Sequence, residues 1–212
     1  MKTPTARVAP HIDPEMTPRS TAEPSPETLR ADKRAMRQAA RARRSRCDPA
    51  LGVALGERLL AERPPAPGAA VAGVWPLPGE IDLRPLLTAL AAQGHPVLLP
   101  RTLRRGEPLE FRLWTPGAPL EAGSFGTLHP QGGLPAPPPD VILVPLLAFD
   151  RRGGRLGYGA GFYDRTLRLH PRAAAIGVAF AAQEVDAVPM EAHDVRLPAI
   201  ATERGIIDCG TD

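Results

Sequence analysis

Residues 144–166 read VPLLAFDRRGGRLGYGAGFYDRT, an apolar run, then five glycines, then a segment that opens a helix. Glycine at 157, 159 and 161 permits positive φ and close backbone approach, so successive N–H groups can converge on one anion. The start of the helix favours negative charge at the same place, and Arg155 adds a fixed cation. A phosphate site is the natural physical reading of such a stretch, although a tight strand-to-helix connection also uses glycines. The spacing is neither that of the GxxxxGKS/T loop nor the GxGxxG dinucleotide fingerprint.

Other residues could act with this loop. Lys33 and Arg37 are four apart on an expected helix, so they share a face and can reach one polyphosphate. Lys33 is one of only two lysines among 26 basic residues, in a chain that otherwise uses arginine. A solvated basic face is the alternative for the flanking arginines. Glu80 follows a Pro-Gly turn at the end of an expected strand, and Trp75 is one of nine aromatic residues available as a flat wall. By residue type alone, Asp164 is a helix first-turn acid and Asp194 a turn residue. His193 lacks an apparent Ser or Cys partner and is given no catalytic role.

Strands and helices must hold these groups. Ser25-Pro26-Glu27 supplies an N-cap, a first-turn proline and an acid, predicting a helix to about residue 46; Asp48-Pro49 repeats the signal for a second helix ending before Pro64. A third helix runs from about Asp82 to Gly94 with Leu83, Leu86, Leu87 and Leu90 inward, and a fourth from about 161 to 169. Apolar runs at 69–75, 95–100, 141–147 and 175–180 read as strands, with 111–115 nearer a sheet edge. Residues 120–139 read as a long Gly/Pro loop. This alternation predicts an α/β, Rossmann-like three-layer sandwich, its central sheet mostly parallel and flanked by helices. Ligands bind such sheets at the carboxyl ends of the strands. Residues 1–24 are expected to form a disordered Pro-rich extension and residues 25–212 a single domain.

Composition excludes several classes. With 212 residues and 43% hydrophobic content the chain can build a real core. Two cysteines, far apart and outside any zinc spacing, fit a reducing, cytoplasmic setting. No segment approaches the roughly 20 apolar residues of a membrane helix. Residues 29–46 carry eight basic residues against one acid, a local +7 within a net charge of +3. Charge so concentrated points to a local anionic partner. The rival reading, nucleic-acid binding by the arginine-rich helix, requires a steep salt dependence and is weakened by the shortage of stacking aromatics.

Phe149-Asp150 followed by Arg155-Leu156-Gly157-Tyr158-Gly159-Ala160-Gly161-Phe162-Tyr163-Asp164-Arg165 resembles the signature of the 5-formyltetrahydrofolate cyclo-ligase family. Further landmarks occur in the same order: Lys33-Arg34-Ala35-Met36-Arg37, Trp75 through Asp82, and Glu191-Ala192-His193-Asp194 before Ala201-Thr202-Glu203. The resemblance covers roughly residues 28–207 and departs at Ala160, where the family has glycine or lysine, and at Phe162, where tyrosine is common. It implies an ATP- and Mg2+-dependent ligase of one-carbon metabolism that turns 5-formyltetrahydrofolate into 5,10-methenyltetrahydrofolate, ADP and phosphate through a phosphorylated formyl group. It implies ATP contacts from Lys33, Arg34, Arg37 and residues 155–163, with Arg155 and Lys33 catalytic. It further implies folate contacts from Trp75, Glu80 and Tyr163, and metal ligation by Asp164 and Asp194. The expected partners are these small molecules, without membrane or nucleic acid, and the expected form is a monomer.

Overall fold

The computed structural model describes residues 25–132 and 136–210. The expected extension at 1–24 therefore lies outside the described residues. Helix α1 (Pro26–Arg44) starts where Ser25 accepts the Thr28 amide at 3.2 Å, and Arg41, Arg43 and Arg44 complement its carboxyl end. A 3-10 turn, Pro49–Leu51, capped by the Asp48 carboxylate, leads into α2 (Gly52–Glu62). Helix α3 (Arg84–Ala92) buries Leu86, Leu87 and Leu90 and ends at Gly94, whose φ of +86° suits glycine alone.

Seven strands form the main sheet. They are β1 (Val71–Ala72), β2 (Val97–Arg101), β3 (Glu110–Trp114), β6 (Val141–Pro145), β9 (Ala174–Val178), β10 (Ala199–Thr202) and β11 (Gly205–Asp208), in spatial order β11-β10-β9-β6-β1-β2-β3. The five inner strands pair parallel, and the two outermost pairs, β2–β3 and β10–β11, are antiparallel. Successive side chains feed opposite layers, as the two-residue period of a strand requires. Val71, Val97, Leu99 and Leu143 pack with α2 and α3, whereas Ala72, Leu98, Ile142 and Val144 pack on the face of Leu167. Leu167 belongs to α4 (Phe162–Leu169). The predicted three-layer architecture is the one observed.

From β1 the chain winds outward through β2 to β3, then returns to β6 on β1's other side. The gap between the carboxyl ends of β1 and β6 is thus the topological switch point, where such sheets open a crevice.

Three local expectations need correction. The strand expected over 69–75 shrinks to the two residues of β1, since the chain turns away after Gly73 toward the crevice. The loop expected over 120–139 contains a hairpin, β4 (Leu120–Ala122) with β5 (Leu128–Pro130), packed beside β2 and β3. Three-residue strands carry too little alternation to register as a pattern. Neither the β10–β11 pair nor the hairpin β7 (Ala148–Phe149) with β8 (Arg155–Leu156) was anticipated.

Candidate active site

A cavity of about 580 Å3 opens at the switch point, within the size range of small-molecule sites. Val74, Trp75, Leu77 and Glu80 reach it from the segment after β1, Pro100 and Thr102 from the end of β2, and Pro145 from the end of β6. Residues 155–164 form the facing wall, and Lys33, Arg37 and Arg41 approach from α1. Thus most sequence-predicted site residues converge. Arg34 is the exception: it is exposed and absent from the lining, whereas Arg41, one turn beyond Arg37 and also exposed, borders the cavity. Three basic residues of α1 thus line the cavity, while Arg30, Arg34, Arg43 and Arg46 face solvent.

The glycine wall is held from below. Asp150 is 1% exposed and accepts three backbone amides, from Arg152 at 2.9 Å, Gly154 at 3.0 Å and Val188 at 2.8 Å. This carboxylate fixes the β7–β8 turn and with it Arg155. Within the loop, φ is +101° at Gly159 and +68° at Gly161, the left-handed region that side chains avoid, while Gly157 is not in that region. Gly153 is the more demanding position, with φ +78° and a notional Cβ 2.1 Å from the Leu197 carbonyl oxygen. Gly153→Ala is therefore expected to destabilise the fold by more than about 2 kcal/mol, read from the urea midpoint. Gly157→Ala, facing open space, should leave that midpoint where it is.

The charged groups on this side of the cavity are paired with one another. Lys33 Nζ donates to Glu191 Oε2 at 2.7 Å and Asp194 Oδ2 at 2.6 Å, although its side chain is only 8% exposed. For Asp194, burial works against ionisation, but the Glu191 amide and Lys33 outweigh it and hold its pKa below the usual carboxylate value. Arg155 donates to Asp164 Oδ1 at 2.5 Å and to the Val195 carbonyl. Burial lowers the Arg155 pKa and Asp164 counters it; a guanidinium stays cationic in any case. Asp164 Oδ1 also accepts the Val195 amide at 3.0 Å.

For a divalent cation, the ligand atoms of Glu191, His193 and Asp194 lie within 4.8 Å of one another, and the Lys33 ammonium already sits between the two carboxylates as a cation would. Carboxylate oxygens suit magnesium. Asp164 stands apart from that group, engaged by Arg155.

Glu80, which also lines the cavity, is 7% exposed. Its Oε2 accepts the Leu77 amide at 2.8 Å, and its Oε1 accepts the Tyr158 hydroxyl and, at 3.4 Å, Arg44 Nη1. Trp75 stands edge-on to Trp114 at 5.9 Å with the Arg84 guanidinium over its ring. Burial first, and then Glu80, raises the pKa of both Tyr158 and Tyr163, so both phenols stay protonated. The mouth is completed by Arg105 and Phe125. Phe125, 56% exposed, is the only non-glycine with positive φ among the described residues; it lies edge-on to Phe162 at 5.8 Å under Arg105. Sequence reasoning missed Arg41, Arg44, Arg105 and Phe125, and quoted Glu191 only as part of a landmark, without a role. Only Arg41 had a signal, because it continues the four-residue stripe of Lys33 and Arg37.

The profile of the 5-formyltetrahydrofolate cyclo-ligase family matches residues 23–203, nearly all of the described chain. The chain belongs to that family. The 5-formyltetrahydrofolate cyclo-ligase of Mycolicibacterium smegmatis is 39% identical over 157 residues, covering 66% of this chain and 77% of the relative. The Haemophilus influenzae cyclo-ligase is 38% identical over 129 residues, 56% of this chain and 67% of its own length. The solution structure of Aquifex aeolicus 5,10-methenyltetrahydrofolate synthetase superposes with a TM-score of 0.72 at 27% identity, covering 85% of this chain and 94% of that one. This cyclo-ligase family member is an enzyme of the ligase class, and residues 155–164 wall its cavity. No helix among the described residues is long and apolar enough to cross a membrane.

Proposed function

We propose that the protein cyclises 5-formyltetrahydrofolate to 5,10-methenyltetrahydrofolate at the expense of ATP, with magnesium, through a phosphorylated formyl group. The observation that carries this reading is that one cavity gathers both kinds of group: Lys33, Arg37, Arg155 and the glycine loop for phosphates, and Glu80 with Trp75 for a flat heterocycle. A carboxylate can accept the adjacent N–H donors of a reduced pterin side by side while the N5 formyl group lies within the same cavity as the basic groups.

A formamide carbon is a poor electrophile. Attack of the formyl oxygen on the terminal phosphorus of ATP expels ADP and makes that oxygen a leaving group. N10 then bonds to the formyl carbon, loses its proton, and phosphate departs with the oxygen, leaving the N5–CH–N10 bridge. No protein nucleophile enters these steps. The chain's part is to align the reactants and to neutralise charge with Arg155, Lys33 and the loop amides, as phosphoryl transfer requires. Magnesium would be held by Asp194 together with Glu191, and would supply further neutralisation of the phosphates; Asp164 would join it only on leaving Arg155.

The pairing within the site bears on nucleotide affinity. Lys33 can meet a phosphate only as Asp194 and Glu191 release it. Asp194→Asn is therefore expected to raise affinity for an ATP analogue about tenfold without magnesium and to shrink the gain that magnesium brings. Titration calorimetry with and without the metal reads both; a variant with the wild-type metal dependence excludes Asp194 from this exchange.

The function itself is tested by near-ultraviolet absorbance after mixing protein, 5-formyltetrahydrofolate and MgATP, omitting each in turn. The methenyl product should accumulate only with all present. Folded, nucleotide-binding protein that yields none would overturn the reading.

A further inference from the structure

Glu80, which the proposed function assigns to the pterin, is already taken by the enzyme's own phosphate loop. The Tyr158 hydroxyl donates to Glu80 Oε1, and Tyr158 stands between Gly157 and Gly159 in the middle of that loop. Arg37 Nε donates to the Gly157 carbonyl at 3.0 Å, and the Arg37 guanidinium packs over Gly159, where a Cβ would be 3.3 Å away. One uninterrupted chain of contacts therefore runs from a phosphate-facing guanidinium to the pterin-facing carboxylate: Arg37, Gly157, Tyr158, Glu80.

We propose that Tyr158 is a latch coupling the two substrate sites, so that the nucleotide, by drawing Arg37 from Gly157, releases Tyr158 from Glu80 and opens the folate carboxylate. The inference rests on the proposed function for what Glu80 reads. Both flanking positions are glycines, and Gly159 is already at φ +101°, so the peptide carrying Tyr158 can pivot without a side-chain clash at its ends. The phenol is protonated throughout the neutral range, since burial and the Glu80 charge raise its pKa, and it remains a donor until a better-placed donor replaces it. Arg44 reinforces the closed arrangement: it contacts both the Tyr158 hydroxyl and Glu80, with its guanidinium over the tyrosine ring at 5.7 Å. Tyr158 is 37% exposed: its hydroxyl is buried against Glu80 and Arg44 while part of its side chain borders solvent, into which the latch can open.

Thermodynamic linkage gives this a measurable form, because a two-state latch biased by both ligands makes each one strengthen the other by the same factor. The affinity of 5-formyltetrahydrofolate is to be measured by calorimetry with and without a non-hydrolysable ATP analogue and magnesium, and the analogue's affinity with and without folate. Wild-type protein should bind folate on the order of tenfold more tightly in the presence of the analogue. Tyr158→Phe keeps the ring and removes the donor; it should bind folate more tightly without nucleotide and show a coupling factor near one, with an unchanged melting temperature. Wild-type coupling retained in Tyr158→Phe, or none in the wild-type protein, overturns the latch. If the wild-type protein forms methenyl product and Tyr158→Phe keeps full coupling, the latch alone falls. If it forms none, the functional reading falls first and the latch with it.

Discussion

Arg155→Ala is expected to lower kcat by about 10^2- to 10^3-fold, the usual loss when a preorganised charge-stabilising donor is removed. The change should also cost stability, because the side chain is enclosed. Arg155 is 7% exposed and ion-paired with Asp164, whose side chain is 18% exposed. Removing one partner of so enclosed a pair leaves an uncompensated charge and should cost about 3 kcal/mol of stability. Two variants separate the effects. Arg155→Ala with Asp164→Asn should recover most of the stability and none of the turnover. Arg155→Lys keeps the charge but cannot fork between Asp164 and the Val195 carbonyl, so kcat should remain depressed. Single-turnover kinetics with urea melts reads all three; wild-type kcat in Arg155→Ala would remove the residue from the chemistry.

Glu80→Gln should raise the KM for 5-formyltetrahydrofolate on the order of 10^2-fold, because the amide offers one acceptor where charge-assisted pairing uses a carboxylate. Nucleotide binding should persist, since Glu80 makes no contact with Lys33, Arg37 or Arg155. The two expectations together distinguish a lost pterin contact from a damaged site. Loss of both affinities would indicate collapse of the Leu77–Glu80 turn, which the Glu80 carboxylate closes through the Leu77 amide. An unaltered KM would move the pterin elsewhere in the cavity.

Much of this was legible before any coordinates. The caps at Ser25 and Asp48, the leucine stripe of α3 and the glycine run from 153 to 161 are local signals, carried by residues within a turn or two of one another. Such signals depend on backbone sterics and side-chain period, which a sequence states directly. With the apolar runs they marked the five strands that alternate with the helices, β1, β2, β3, β6 and β9, and hence an α/β sheet that binds ligands at its strand ends. The glycine loop and its arginine could be read as an anion site for the same reason, being contiguous in the chain.

What escaped is what distance in sequence conceals. Lys33 finds its partners at Glu191 and Asp194, 158 and 161 positions away, and only folding brings them within hydrogen-bonding reach. Arg34 and Arg41 are alike by composition, and the packing of α1 against β7 decides that the second faces the cavity and the first faces solvent. The β4–β5 hairpin bears Phe125 on a left-handed backbone, which no propensity of phenylalanine favours. The residue types, the helices and the glycine loop were thus determined by the sequence itself. Which charges pair, which residue occupies Glu80, and which arginines reach the cavity were decided by the tertiary structure, because those contacts form only when distant segments are buried against one another.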